Sequence, residues 1–266
     1  MILDDIIEKR KIQLSHEIEK VSRDEMKKLA LASERKTISF YDALKKDSMS
    51  IISEVKKASP SKSVIQPDFH PVEQAVQYEK AGADAISCLT EEHYFQGSSE
   101  YLKAIRENVN IPILRKDFII DEYQIYEAKV IGADAILLIA AVLDTETMFK
   151  FRKLAESLGL ECLFEAHNKE EIEKILKCEP KIIGINNRNL KTFEVSLENT
   201  ANLAEFVPKE CVLVSESGIS DNNDMKFLKK CGADAVLIGE TLMRSGHVEE
   251  TIKDLRNRIW KLKYAE

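Results

Sequence analysis

The chain has 266 residues, of which 44% are hydrophobic and 32% charged, so it can bury a large core and still present a polar surface. A formal net charge of −7, with Lys and Arg scattered over helical patterns rather than gathered in a stripe, argues against a nucleic-acid partner. The longest apolar run, Ala135 to Leu143, is too short to span a bilayer, and Met1-Ile2-Leu3-Asp4-Asp5 lacks the basic start and apolar core of a signal peptide, so a cytoplasmic protein without a membrane partner is expected.

The first 48 residues carry Ile2, Leu3, Ile6, Ile7, Ile12 and Leu14 on one amphipathic helix. Met26, Leu29, Ala30 and Ala32 mark a shorter second helix before Phe40-Tyr41-Asp42-Ala43-Leu44. This is expected to be an extension of a single domain over 1–266, placed either under the bottom of the fold or over its mouth; the sequence favours neither. Apolar runs of strand length then follow near Ile52, Ile86, Ile113, Leu137, Leu163, Ile183, Leu213 and Leu237. Between and after them lie helical patterns over Val72–Lys80, Tyr101–Asn108, Tyr123–Ile131, Thr145–Leu158, Glu170–Lys177, Leu197–Phe206, Asn223–Lys230 and Val248–Leu262.

One tetrapeptide punctuates this alternation. Gly82-Ala83-Asp84-Ala85 returns as Gly132-Ala133-Asp134-Ala135 and as Gly232-Ala233-Asp234-Ala235, each time where a helix should stop at Gly and a buried strand begin. Near residue 182, where the period asks for a further copy, stands Pro180-Lys181-Ile182-Ile183-Gly184-Ile185, a strand without the motif. Eight strands alternating with eight helices predict an α/β fold, a closed (β/α)8 TIM barrel with an N-terminal helical extension, which typically needs about 250 residues. A doubly wound open sheet is the structural rival, but it usually has fewer strands, and the Gly-x-Gly-x-x-Gly turn of its dinucleotide-binding version is missing.

Cys88, Cys162, Cys178, Cys211 and Cys231 form no Cys-x-x-Cys pair and read as buried free thiols. His16, His70, His93, His167 and His247 are equally scattered, and no metal is predicted.

In a (β/α)8 barrel the chemistry sits at the C-terminal strand ends. The first strand delivers Glu54 and Lys56 to one side, with Ile52 below them and Val55 toward the helices. An ionised pair aimed inward is costly without partners or a ligand, although a structural salt bridge would also account for it. Ser59-Pro60-Ser61-Lys62-Ser63 follows, a hydroxyl-rich loop that suits either an anion or plain solvation. Alternation sends Leu114 and Lys116 inward and Arg115 outward, and it places Leu163 and Glu165 inside. Asn186 and Arg188 share a face if the sixth strand keeps its geometry. Glu216 ends the seventh, where the turn hides its direction. Together these residues form an acid–base constellation in which close charges shift one another's pKa. Ser217-Gly218-Ile219-Ser220 and Ile238-Gly239-Glu240-Thr241 each precede a helical turn, the common phosphate-binding loops of this fold; Glu240 would contribute only its backbone.

Six motifs in order resemble those of indole-3-glycerol phosphate synthase. They are Glu54-Val55-Lys56-Lys57-Ala58-Ser59-Pro60-Ser61, Thr90-Glu91 with Tyr94-Phe95-Gln96-Gly97-Ser98, Leu114-Arg115-Lys116-Asp117-Phe118, Gly184 through Leu190, Ser215 through Ile219, and Leu237 through Glu240. The resemblance runs through the whole chain, N-terminal helices included. It implies a cofactor-free lyase of tryptophan biosynthesis acting on a phosphorylated small molecule, 1-(2-carboxyphenylamino)-1-deoxyribulose 5-phosphate. Ring closure, decarboxylation and dehydration give indole-3-glycerol phosphate, and they need an acid for the ketone oxygen and a base as hydroxide departs.

By the same resemblance Lys116 is the general acid of ring closure and Glu165 the leading carboxylate for the later proton transfers. Glu54 and Lys56 share dehydration, Asn186 orients substrate hydroxyls, and Glu216 holds the lysine network. Ser59 and Arg188 receive the substrate carboxylate; Ser217, Gly218, Gly239 and Glu240 match the phosphate cradle; Phe95, Phe118, Leu137, Leu190 and Ile238 line the anthranilate pocket. His167, two residues after Glu165, is not assigned to catalysis on proximity alone. A monomer or weak homo-oligomer is expected. Rival readings are phosphoribosylanthranilate isomerase, which would want a thiol at the mouth, Schiff-base chemistry on Lys56 or Lys116, and a non-catalytic barrel that binds a sugar phosphate.

Overall fold

Apolar runs buried on both faces have one efficient partner, another such run lying parallel beside them. In the computed structural model, which describes residues 2–60, 63–190 and 192–256, eight of them close into a parallel barrel. The strands are β1 (Ser50–Val55), β2 (Ala85–Leu89), β3 (Ile113–Lys116), β4 (Ala135–Ile139), β5 (Glu161–Ala166), β6 (Ile182–Asn186), β7 (Val212–Glu216) and β8 (Ala235–Ile238). They pair in sequence order, and β8 returns to β1 with Ile52 beside Leu237. A short antiparallel hairpin, Ala58–Ser59 with Ser63–Val64, follows β1.

The helices are α1 (Ile2–Lys20), α2 (Arg23–Ala32), α3 (Phe40–Leu44), α4 (Pro71–Lys80), α5 (Ser99–Arg106), α6 (Glu122–Ile131), α7 (Thr145–Ser157), α8 (Lys169–Leu176), α9 (Glu198–Leu203), α10 (Asn222–Lys230), α11 (Glu240–Arg244) and α12 (Val248–Arg256). The expected end of the last helix, from residue 257 to Leu262, and the loop residues Ser61 and Lys62 lie outside the described residues.

Strand alternation divides the core in two. Ile52, Ala85, Leu114, Ala135, Leu137, Leu163, Ile182, Val212, Val214, Ala235 and Leu237 fill the barrel interior. Ile51, Val55, Ile86, Ile113, Ile136, Phe164, Ile183, Leu213 and Val236 belong to the layer that meets the helices. Small residues sit beside large ones in the interior, as where Ala85 pairs with Ile52 and Ala135 with Leu114, an alternation that lets the layers interlock.

The recurring tetrapeptide has a mechanical basis. Its Gly adopts a left-handed conformation at φ 90°, 92° and 95° in the three copies, which ends the helix. Its Asp then clamps the preceding strand. The Asp84 N–H donates to the Ile51 carbonyl at 2.9 Å while its carboxylate accepts the Ile51 N–H at 2.8 Å. Asp134 does the same with Ile113, and Asp234 with Leu213. Where the fourth copy is missing, Glu179 takes the left-handed turn at φ 49° in place of Gly, and Lys181 replaces the clamping Asp.

The N-terminal extension serves both ends of the barrel. Ile2, Leu3 and Ile6 of α1 reach over the mouth. The α2 helix lies along α6, and residues 33–39 run down the outside, where Arg35 and the Ile38 N–H both reach Asp134 at 2.8 Å. Phe40 and Leu44 of α3 then enter the interior core and plug the bottom. The Tyr41 N–H donates to Glu161, the first residue of β5, at 2.7 Å.

Candidate active site

Every residue expected at the site lines one cavity of about 840 Å³ at the C-terminal mouth: Glu54, Lys56, Ser59, Phe95, Lys116, Phe118, Leu137, Glu165, Asn186, Arg188, Leu190, Glu216, Ser217, Gly218, Ile238, Gly239 and Glu240. At its centre the Lys116 ammonium donates to Glu165 Oε2 and Glu216 Oε2, each at 2.7 Å. Glu216 therefore turns inward, the direction that parity left open, and Gly184 makes room for it: a Cβ there would collide with Glu216 Oε1. Beside this triad Lys56 bonds Glu54, and Gly239 passes so close to the pair that a Cβ on it would meet Glu54 Oε2 and Lys56 Nζ.

The electrostatics separate the two carboxylates that share Lys116. Burial raises a carboxyl pKa, but the Lys116 and His167 charges outweigh it at Glu165 and lower it to about 2. At Glu216 burial dominates, the ammonium offsets only part of it, and the Glu165 charge adds to the rise, to about 7. Burial disfavours the Lys116 ammonium, yet Glu165, Glu216 and Glu54 together hold its pKa above the ordinary lysine value. The site therefore pairs a charged lysine with one committed carboxylate and one that titrates near neutrality. Glu216 Oε1 is buried without a hydrogen-bond partner, which adds to the cost of ionising this carboxyl.

Around this centre the walls differ in character. Phe95 and Phe118 face each other across 6.1 Å at a 40° tilt and form one side of an apolar slot. The loop bearing Phe95 is pinned by Glu91, whose fully buried carboxylate accepts the N–H groups of His93, Tyr94 and Phe95 at 2.8 to 2.9 Å. Asn186 hydrogen-bonds Glu165, and its Oδ1 also accepts the Arg188 N–H at 3.0 Å. The Arg188 guanidinium reaches the Phe193 carbonyl at 3.4 Å.

At the far rim Gly239 opens α11, and the Glu240 carboxylate accepts from Arg244 at 3.1 Å, which leaves its backbone to the cavity. The N-terminus of α10 is already used: Asp221 accepts from Asn223 and Asp224, and Asp224 from Ser220 and Asp221. On the β7 side the part left to an anion is therefore the Ser217-Gly218 backbone, with both residues at positive φ, rather than a helix dipole.

Several contributors escaped the sequence reading. Leu237 and Ile139 share the inward parity of Leu137 and line the cavity, whereas Ile238 lines it while packing in the helix-facing layer; parity was the available signal. Arg115, expected to point outward, does so into a dry network with Thr90, Asp117 and Glu127 that also receives Arg10 from α1. No local pattern around Arg10 announces that contact. The five cysteines are free and none lines the cavity.

Fold and mouth together define a (β/α)8-barrel protein with an acid–base centre beside an apolar slot. The fold alone is matched by solved structures at low identity: thiamine phosphate pyrophosphorylase from Pyrococcus furiosus, with a TM-score of 0.61 and 17% identity over 84% of this chain and 99% of that one, and the N-acetylmannosamine-6-phosphate 2-epimerase from Clostridium perfringens, with a TM-score of 0.61 and 14% identity over the same shares.

Sequence comparison is more specific. The family model for indole-3-glycerol phosphate synthase matches residues 3–255. The indole-3-glycerol phosphate synthase of Lachnospira eligens is 53% identical over 96% of this chain and 97% of its own, and that of Acetivibrio thermocellus 49% over 96% and 99%. The chain belongs to the indole-3-glycerol phosphate synthase family.

Proposed function

We propose that this mouth closes the indole ring of 1-(2-carboxyphenylamino)-1-deoxyribulose 5-phosphate, with Lys116 as the acid and Glu165 as the principal base. Family membership makes the protein a carboxy-lyase of tryptophan biosynthesis. The observation that carries the division of labour is the Lys116 ammonium held between Glu165 and Glu216 at 2.7 Å from each. As the ring carbon bearing the carboxylate attacks the ketone, negative charge develops on the ketone oxygen, and a lysine kept charged in a dry site can donate its proton there. Carbon dioxide then leaves and restores the benzene ring. In the dehydration that follows, hydroxide departs with a proton from an acid while a base removes one from carbon.

Glu165, ionised at neutral pH, is placed for the base's part, and Glu54 with Lys56 for the departure of hydroxide. Glu216 positions Lys116, and Asn186 orients the substrate hydroxyls. Phe95, Phe118, Leu137, Leu190 and Ile238 form the slot for the aromatic ring. Ser59 and Arg188 take the carboxylate, while the backbone of Ser217, Gly218, Gly239 and Glu240 takes the phosphate. Schiff-base chemistry on Lys116 is disfavoured, since a nucleophilic amine must be neutral and the carboxylates hold Lys116 charged. The enzyme would act in the cytoplasm as a monomer or weak homo-oligomer, with residues 1–266 as one domain. Among the described residues no helix is long and apolar enough to cross a membrane.

The test is the appearance of indole fluorescence when purified protein meets the substrate. Formation of indole-3-glycerol phosphate by the natural sequence and not by Lys116→Ala is expected. An undiminished rate in Lys116→Ala sinks its assignment as the acid.

A further inference from the structure

One face of α1 reaches both of the loops that carry Phe95 and Phe118. Arg10, Gln13 and Glu17 follow one another along it at the spacing that stacks side chains on a helix. Arg10 and Gln13 are buried, and Glu17 fixes both, accepting from Gln13 Nε2 at 2.8 Å and from Arg10 Nη1 at 3.0 Å.

Toward the barrel the two side chains part company. Arg10 donates to both oxygens of Asp117, just after β3, at 2.9 and 3.1 Å, and Asp117 Oδ1 in turn accepts the Phe118 N–H at 2.8 Å. Gln13 turns to the end of β2. Its Oε1 accepts the Glu92 N–H at 3.2 Å and its Nε2 faces the Thr90 carbonyl at 3.4 Å. Between those two residues stands Glu91, whose carboxylate accepts the Phe95 N–H at 2.9 Å. A single orientation of the Gln13 amide serves Glu17, Thr90 and Glu92 together.

We propose that Arg10 and Gln13 are positioning residues for the aromatic half of the substrate, fixing from one helix the separation of the Phe95 and Phe118 loops and so the width of the slot between them. This deepens the reading of that slot as the seat of the aromatic ring and rests on it.

The dimensions agree with such a brace. Three residues of α-helix rise about 4.5 Å and neighbouring strands lie about 4.8 Å apart, so one turn of α1 can rest on the ends of β2 and β3 together. Thr90 joins the two ends beneath it: its N–H donates to the Lys116 carbonyl at 3.1 Å and its hydroxyl to Asp117 Oδ2 at 2.8 Å.

The loop after β2 is shaped to be held from outside. It folds back on itself, with the Gly97 N–H donating to the Glu91 carbonyl at 2.8 Å and the Ser98 N–H to the Leu89 carbonyl at 3.3 Å. A Cβ on Gly97 would strike the Leu89 and Glu91 carbonyls. These bonds set the shape of the loop. Its place is set by Gln13 at the base and by the Ala58 N–H, which reaches the Phe95 carbonyl at 3.3 Å.

The effect is confined to one end of the substrate. A ring is held by dispersion contacts, of which a gap of about 0.5–1 Å forfeits a quarter to a half. The loops at Ser217-Gly218 and Gly239 follow β7 and β8, on the other side of β1.

The experiment is a pair of double-mutant cycles. Gln13→Met keeps the length of the side chain without its hydrogen bonds, and Arg10→Lys keeps the charge without the fork. Each is made alone and together with loss of the ring it holds, Phe95→Ala for Gln13 and Phe118→Ala for Arg10. Isothermal titration with indole-3-glycerol phosphate gives Kd for every variant that shows native circular dichroism. Each brace variant is expected to weaken binding about fivefold alone, the scale of one lost hydrogen bond, and less than about twofold once its ring is absent.

A fivefold loss that persists without the ring, or an unchanged Kd in both single variants, overturns the brace and leaves the slot reading standing. If Arg10→Lys does not fold, the Gln13 cycle decides alone. A natural Kd in both Phe95→Ala and Phe118→Ala overturns the slot reading, and the brace with it.

Discussion

The guanidinium of Arg10 on α1 donates to both oxygens of Asp117, at 2.9 and 3.1 Å, and neither side chain has any exposed surface. Asp117 follows Lys116 directly. The roof of the mouth is thus tied to the residue next to its central ammonium by a buried, bidentate pair, which has more geometric definition than a single contact. Replacing Arg10 by Met would leave Asp117 with Arg115, Thr90 and the Phe118 N–H as partners. A loss of stability of about 3 kcal/mol is expected, since removing one member of a buried pair strands the other. Urea denaturation measures it; a loss below about 1 kcal/mol would mean that the remaining donors satisfy Asp117 without Arg10.

Lys116→Ala should leave a folded protein whose turnover is reduced by about 10²- to 10⁴-fold. It also leaves Glu165 and Glu216 facing each other without the cation between them. Two carboxylates so placed cannot both ionise cheaply, so their folded-state pKa values rise. The variant should then lose stability relative to the natural sequence as pH increases from 5 to 8. Thermal melts across that range would show it, and a difference independent of pH would contradict the shared-lysine arrangement.

The raised pKa of Glu216 has a consequence of definite sign. Its folded-state value of about 7 lies above its ordinary 4.5, so its contribution to stability is fully present below 4.5 and is lost as pH rises through 7. Glu165, lowered to about 2, behaves oppositely: its contribution is present above 4.5 and disappears as pH falls toward 2. Glu216→Gln removes the first dependence. Its denaturation midpoint relative to the natural sequence should climb between pH 5 and 7 and level off above that, and a flat difference would show that Glu216 is ionised throughout.

Gly184→Ala tests the space on which the triad depends. The added Cβ would overlap Glu216 Oε1 and approach Leu163, so the carboxylate must move away from Lys116 or the strands must part. A fall in kcat of about tenfold or more is expected, because displacement of a positioned group by about 1 Å is enough for large losses. Steady-state kinetics at saturating substrate decides the matter, and unchanged kcat would show that Glu216 can shift without disturbing Lys116.

Much of this molecule was legible because barrels are periodic. Inward parity placed Glu54, Lys56, Lys116 and Glu165 correctly, since a strand turns its side chains over every second residue and tolerates no slip when both faces are buried. The Gly-Ala-Asp-Ala repeat likewise marked helix ends and strand starts, each of which is a local event. Parity gave no answer for Glu216 because the chain turns there, and the space Gly184 provides lies on a neighbouring strand. Arg10 was missed for a different reason: it stands four residues from both Ile6 and Leu14, on the helix that also carries Ile2, Leu3, Ile7 and Ile12, but the carboxylate that receives it lies 107 positions away. The placement of the extension was undecidable for the same cause, because both of its contact surfaces are assembled by the rest of the chain.

That extension has an implication for the order of assembly. The Tyr41 N–H meets Glu161 across 120 residues, and the Lys45 ammonium meets the Cys211 carbonyl across 166. Phe40 and Leu44 settle among side chains drawn from strands as late as β8. Contacts this distant in sequence carry a high closure entropy and form late. The plug therefore cannot complete its contacts until β8 is in place, and until then the bottom of the barrel is incompletely closed.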